Sequence, residues 1–213
     1  MPLDTHQIEK AIRHLRSADR VLRCIIDTVG PCQLRRERNR LRALVRSIIS
    51  QQISTSAART IQQRLEALIA PREFTAENLA KLTPRRLRSA GLSPQKAGYV
   101  AELARQTAAG KLPLNQLGRL SDERVIQSLL KIKGIGRWTA QMFLISSLGR
   151  PDVLPYDDLG IRSAIRREFH LEQLPDKSTC EKIAQPWRPY TTVACWYLWR
   201  SLDLPPSKTS TMT

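Results

Sequence analysis

The chain has 213 residues and a mass of 24.2 kDa, enough for one domain or two small lobes that bury about 70% of the unfolded chain's surface. Lys and Arg number 35 against 19 Asp and Glu, giving a formal net charge of +16 and a pI near 10.6, an excess that calls for a polyanionic partner. A hydrophobic share of 41% with mean hydropathy −0.35 excludes intrinsic disorder over most of the chain, and no apolar run reaches the roughly 18 residues needed to cross a bilayer.

The spacing of apolar residues is helical almost throughout, without period-two alternation, so an all-α fold is expected. The first ten residues are polar where a secretory signal needs a basic start and an apolar stretch, which predicts a protein of the cytoplasm or nucleus. Residues 5–29 read as helical, with Ile8, Ile12, Leu15 and Leu22 on the buried side. Leu41, Leu44, Val45, Ile48 and Ile49 then form the clearest apolar stripe, leaving Arg40, Arg42 and Arg46 to water. Gln51-Gln52-Ile53 interrupts that helix. Ser54 caps the next, residues 55–69, with Ala57, Ala58, Ile61, Leu65 and Leu68 as its buried face, and Pro71 stops it. Helices follow at 76–82, 84–90 and 94–109, the last two opening on proline. Another runs from Ser121 or Asp122 to Ile132, and after Lys133-Gly134-Ile135-Gly136 a helix covers 137–148. A new helix starts after Asp157-Asp158, and 178–185 and 191–201 complete the set. Residues 205–213 read as an unstructured tail, leaving 1–204 as a single helical domain. Four cysteines (Cys24, Cys32, Cys180, Cys195) and three histidines show no CxxC or HxxxH spacing, so no side-chain metal site is expected.

Four stretches carry chemistry. In Leu130-Lys-Ile-Lys-Gly134-Ile135-Gly136-Arg137-Trp138-Thr139-Ala140, two glycines let backbone N–H groups at a helix start approach an anion closely, and Lys131, Lys133 and Arg137 suit a nucleic-acid phosphate. Taken alone, a Gly-x-Gly turn is weak evidence, because an ordinary helical hairpin would look alike. The others are Ile48-Ile-Ser-Gln-Gln-Ile-Ser54, Asp152-Val-Leu-Pro155-Tyr-Asp157-Asp158-Leu-Gly160, and residues 187–199, which hold Trp187, Trp196 and Trp199.

In this order and at these separations the four stretches resemble the helix-hairpin-helix DNA glycosylases, specifically the 3-methyladenine DNA glycosylase II branch, over residues 40–200. The resemblance implies a two-lobed fold with the active site in the cleft between lobes, acting as a monomer on duplex DNA that contains damaged bases. It implies one ionised carboxylate beside the sugar, at Asp157, 21 residues after Gly136, with neighbouring Asp158 capping the following helix and Asp152 structural. Without the hairpin upstream, both Asp157 and Asp158 would read as helix caps. A buried Asp157 beside an open pocket would separate a catalyst from a non-catalytic DNA-binding module built on the same hairpin.

By position in the motif, Trp199 and Trp138 face a flipped base, with Met142 where relatives place an aromatic. A cationic alkylpurine over an indole gains roughly 0.5–2 kcal/mol. Trp187 and Trp196 read as core. Gln52 stands where the family inserts a plug into the duplex; its plainer reading is a polar turn. Lys133, Gly134, Gly136 and Arg137 are the expected phosphate contacts. The resemblance implies no cofactor beyond a monovalent cation at the hairpin.

Where bifunctional relatives carry a nucleophilic lysine two residues after the second glycine, Trp138 stands here, so a monofunctional enzyme is expected. The extra N-terminal α/β domain of larger branch members has no room in the roughly forty residues before Leu41, and the four-cysteine cluster of some relatives is missing. The expected activity is excision of alkylated purines of the 3-methyladenine and 7-methylguanine type in base excision repair. A glycosylase for uracil, hypoxanthine or mismatched adenine is the other enzymatic reading.

Overall fold

The computed structural model describes residues 3–204; the expected unstructured tail lies outside them. Among the described residues there are twelve α-helices and no strand, as the apolar spacing requires. They form two compact units: one from residues up to Arg35 together with those from Gly149 onward, the other Arg36–Leu148. The second carries 20 Lys and Arg against 7 Asp and Glu, which is 13 of the chain's 16 excess positive charges.

The N-terminal segment is two helices, α1 (Thr5–Ala18) and α2 (Arg20–Val29), where periodicity alone reads one. Asp19 makes the break. Its backbone is extended, and its Oδ1 accepts from Val21 N–H at 2.8 Å and Leu22 N–H at 3.0 Å, satisfying donors that a helix start otherwise leaves open.

In the unit Arg36–Leu148 the central helix is α3 (Arg40–Ser50), whose apolar stripe of Leu41, Leu44, Val45, Ile48 and Ile49 is buried as expected. It packs against α4 (Thr55–Ile69), α7 (Pro94–Ala108) and α9 (Arg137–Phe143). The short helices α5 (Ala76–Ala80) and α6 (Pro84–Ser89) lie against α7, and α8 (Asp122–Leu130) against α9. Ser54 Oγ caps α4 through Ala57 N–H, while Ala57 itself is exposed rather than buried.

A 3₁₀ turn over Leu114–Arg119, too short to leave a period in the sequence, overturns part of the arginine reading. It covers Arg40, whose Nη1 donates to Leu114 O at 2.7 Å. Burial and nearby Arg36 lower the Arg40 pKa. Arg42 is half-buried over the Phe74 ring and 3.5 Å from Glu66, whereas Arg46 is exposed as expected. The helix expected over 137–148 is α-helical only to Phe143 and then widens into a π turn, Leu144–Leu148.

The chain closes its first unit with α10 (Leu159–Glu168), α11 (Lys177–Ala184), a 3₁₀ turn Gln185–Trp187 and α12 (Thr191–Ser201). Helix α12 packs on α1, α2 and α10, with Val193, Ala194, Tyr197 and Leu198 buried among Leu15, Leu22, Ile161 and Ile165. Each fully buried Val, Leu or Ile among them contributes about 1.5–3 kcal/mol. Trp187 is a core residue, 0% exposed, with Nε1–H donating to Asp19 Oδ2 at 2.7 Å. Trp196 also packs against this core, edge-on to Tyr197.

Asp19 therefore caps α2 and satisfies the buried Trp187 indole. Asp19→Ala should lower stability by about 2–4 kcal/mol, a lost cap plus an unpaired buried donor. Denaturant unfolding measures this, and a loss no greater than that of an ordinary surface substitution such as Arg13→Ala would refute the double role.

Candidate nucleic-acid interface and carboxylate

The hairpin begins where α8 ends. Ile132 N–H bonds Leu129 O and Ile135 N–H bonds Ile132 O, both at 3.0 Å, and the chain reverses at Gly134 with φ 89°. That conformation excludes most L side chains, and space excludes them too: a Cβ on Gly134 would stand 2.1 Å from the Tyr99 ring. Gly136 occupies the N-cap of α9 with open space around it and no side-chain cap. The positive end of the helix dipole is thereby presented to an approaching anion. Lys131 and Lys133 are exposed alongside. Arg137 is half-buried and pairs with Glu123 at 3.3 Å, an exposed pair that a phosphate can replace at little cost.

The same unit carries the Gln51-Gln52-Ile53 turn. Gln52 is exposed at its tip in the left-handed region, φ 56°, and Ile53 beside it is 38% exposed. Gln51 points the other way. Its Nε2 donates to Gly134 O and to Thr139 Oγ1, each at 3.0 Å. Lys96 Nζ donates to Ile49 O at 2.7 Å and Gln51 O at 2.6 Å, and burial lowers the Lys96 pKa. The Gln51-Gln52-Ile53 turn and the hairpin are thus bonded to each other. Sequence reading missed Gln51, Lys96 and Tyr99. The available signal was Lys96 four residues before the buried Val100 on α7, a charge at the edge of an apolar face. Trp138 and Met142 are half-buried on α9.

The other unit holds the aspartates. The loop leading to them is fastened to the start of α12: Asp152 accepts from Arg188 Nη1 at 2.8 Å and Thr191 Oγ1 at 2.5 Å, while Thr192 Oγ1 donates to Arg150 O and accepts from Val153 N–H. Asp152 is structural, as expected. Asp158 caps α10 through Ile161 N–H at 2.8 Å, also as expected. The same Oδ1 accepts from Trp199 Nε1–H at 2.9 Å, a bond that spans 41 residues and has no signature in sequence. Gly160 permits it, since a Cβ there would stand 3.0 Å from that oxygen and 3.2 Å from the indole. Asp157, the carboxylate expected to act, is exposed, so it lacks the burial that would mark it as a catalyst. Of the two aspartates, Asp158 is the half-buried, fixed one beside a tryptophan.

Residues 45–189 match the HhH-GPD superfamily of base excision DNA repair proteins. The chain is 34% identical over 202 residues to DNA-3-methyladenine glycosylase 1 of Schizosaccharomyces pombe, covering 92% of this chain and 89% of that protein. Its fold is similar to the 3-methyladenine DNA glycosylase of Schizosaccharomyces pombe solved in complex with abasic DNA, with a TM-score of 0.86 and 33% identity over 94% of this chain and 100% of that one. It is also similar to a DNA-3-methyladenine glycosidase from Bacillus halodurans, with a TM-score of 0.73 and 34% identity over 90% and 88% of the two chains. With an all-helical fold, a glycine hairpin set for an anion, and a family match over two thirds of its length, the chain belongs to the HhH-GPD superfamily of base excision DNA repair proteins.

Proposed function

We propose that this protein is a monofunctional DNA glycosylase that takes a cationic alkylated purine out of duplex DNA and hydrolyses its N-glycosidic bond. The observation that carries this reading is the Asp158 carboxylate, held by Ile161 N–H and Trp199 Nε1–H on one oxygen. When the bond between the sugar and a cationic base breaks, the electron pair leaves with the base, which becomes neutral. Positive charge then develops on the sugar as an oxocarbenium ion, and water adds to the anomeric carbon, losing a proton and leaving an abasic site. A carboxylate stabilises that charge best when it is already fixed in place and partly shielded from water. Asp158 meets both conditions. At exposed Asp157, the residue first expected to act, solvent weakens the same attraction. Trp199 then has two tasks, fixing the carboxylate and offering its indole to the cationic base. Trp138 and Met142 are also proposed to contact the flipped base.

On the DNA side, Lys133, Gly134, Gly136 and Arg137 grip a backbone phosphate, and Gln52 fills the place vacated by the flipped nucleotide. A monovalent cation fits the hairpin chemically. Ile132 O and Gly134 O each accept one hydrogen bond already and keep a second lone pair, so these carbonyls would hold it, and its charge would join the turn to phosphate.

Asp158→Asn should lower base release from methylated DNA by about 100-fold or more while leaving the fold intact, because Asn is an equally good cap. Asp157→Asn should stay within about threefold of the wild type, as an exposed charge contributes little. Base-release chromatography compares them, and the reverse order of losses would return the role to Asp157. A wild-type chain that binds DNA but releases no alkylpurine would instead make it a binding module.

Affinity for any duplex should fall steeply with salt, the logarithmic slope changing by about 0.9 per phosphate contact. Gly136→Asp supplies the N-cap side chain that α9 lacks, so it should raise thermal stability while weakening binding to damaged and undamaged DNA alike. A loss confined to damaged DNA would rule out the phosphate role.

The strand should remain uncut. Lyase chemistry needs an amine at the anomeric carbon, and the indole of Trp138 cannot supply one. Borohydride added during turnover should give no covalent protein–DNA band on denaturing electrophoresis; a strong band abolished by Lys133→Gln would overturn this.

A further inference from the structure

The turn that carries Gln52 is held from two sides. From one, the Lys96 ammonium bonds Ile49 O and Gln51 O, carbonyls at the C-terminal end of α3 where a helix has no amide partners left to offer. From the other, Gln51 Nε2 bonds Gly134 O and Thr139 Oγ1 on the hairpin and α9. Three residues beyond Lys96 on α7, the Tyr99 ring packs against Gly134, and its hydroxyl is bonded by Gln95 Nε2 at 2.6 Å. One face of α7 therefore touches both the plug turn and the phosphate turn. Between these anchors, Gln52 keeps a left-handed backbone, a conformation that persists in a non-glycine residue only where its surroundings determine it.

We propose that Lys96 is a positioning residue for base extrusion: by tying the α3 carbonyls to α7, it fixes how far Gln52 projects from the hairpin, so that the grip on phosphate and insertion into the duplex act in register. This rests on the reading of Gln52 as the plug. Lys96 is half-buried and bonds two main-chain oxygens of the turn, so its contribution is geometric. A duplex that must be opened should sense its loss far more than one already open.

The test uses the full chain and two duplexes with the same alkylpurine, one that the wild type releases from methylated DNA. In the first the purine faces its normal partner. In the second it lies in a three-base mismatch bubble and is already unstacked. Under single-turnover conditions, Lys96→Met should slow release from the paired duplex by about tenfold or more and from the bubble by less than about threefold, because extrusion from a stack is the step that costs energy. Affinity for undamaged duplex should stay within about threefold. Lys96→Arg, which can still bond two carbonyls, should restore most of the paired rate. Equal slowing on both duplexes, or none on either, overturns the proposal. If Lys96→Met does not fold, Gln51→Met removes the tie from the hairpin side and must give the same paired-only loss. Gln52→Ala separates the two ideas. A paired-only loss there without one in Lys96→Met refutes the positioning role alone, and no paired-only loss in Gln52→Ala refutes the plug itself.

Discussion

One carboxylate oxygen does two jobs. Asp158 Oδ1 accepts from the α10 backbone at Ile161 and from the Trp199 indole on α12, so the helix start and the aromatic side chain orient the same group. The arrangement depends on an absence, because any Cβ at Gly160 would press on both partners. It also depends on the loop before it being still. That is the task of Asp152, Arg188, Thr191 and Thr192, whose bonds lay residues 150–153 along the N-terminal end of α12. Helix α12 thus contributes the indole and the anchor of the loop that delivers the carboxylate, while its buried side joins the core of Leu15, Leu22 and Ile165.

The second unit is built for a different task. Its centre is α3, surrounded by α4, α7 and α9, and its two exposed turns are bonded to each other through Gln51. It is the unit with most of the surplus charge: 13 of 16, against 3 in the unit that holds Asp158, where 15 Lys and Arg face 12 Asp and Glu. On the proposed function, most of the long-range attraction to DNA resides in one unit and the carboxylate belongs to the other.

The sequence reading succeeded where the physics is local. Apolar spacing located α3 and α12, Ser54 and Asp158 announced their helices, and the glycine pair marked the hairpin, since each depends on residues within a few positions. It failed where a distant partner decides. Two adjacent aspartates look interchangeable until Trp199, 41 residues on, bonds only one of them, and a capping oxygen that also accepts from an indole has no signature in the sequence. Arg40 was placed in water because the 3₁₀ turn that covers it leaves no periodic trace. Asp19, a cap inside a continuous apolar pattern, shows that a good N-cap can outweigh periodicity.

The uneven charge has a consequence for how such a molecule would find its target. A genome offers about 10⁶–10⁹ competing non-specific sites, and attraction to phosphate alone makes no distinction among them. A chain whose surplus charge is concentrated on the unit with the hairpin and Gln52 would travel along the duplex by sliding and short hops, and on the proposed function this keeps the Gln52 turn against the helix throughout. Patrolling and interrogation would then be a single motion, weakened together as salt rises.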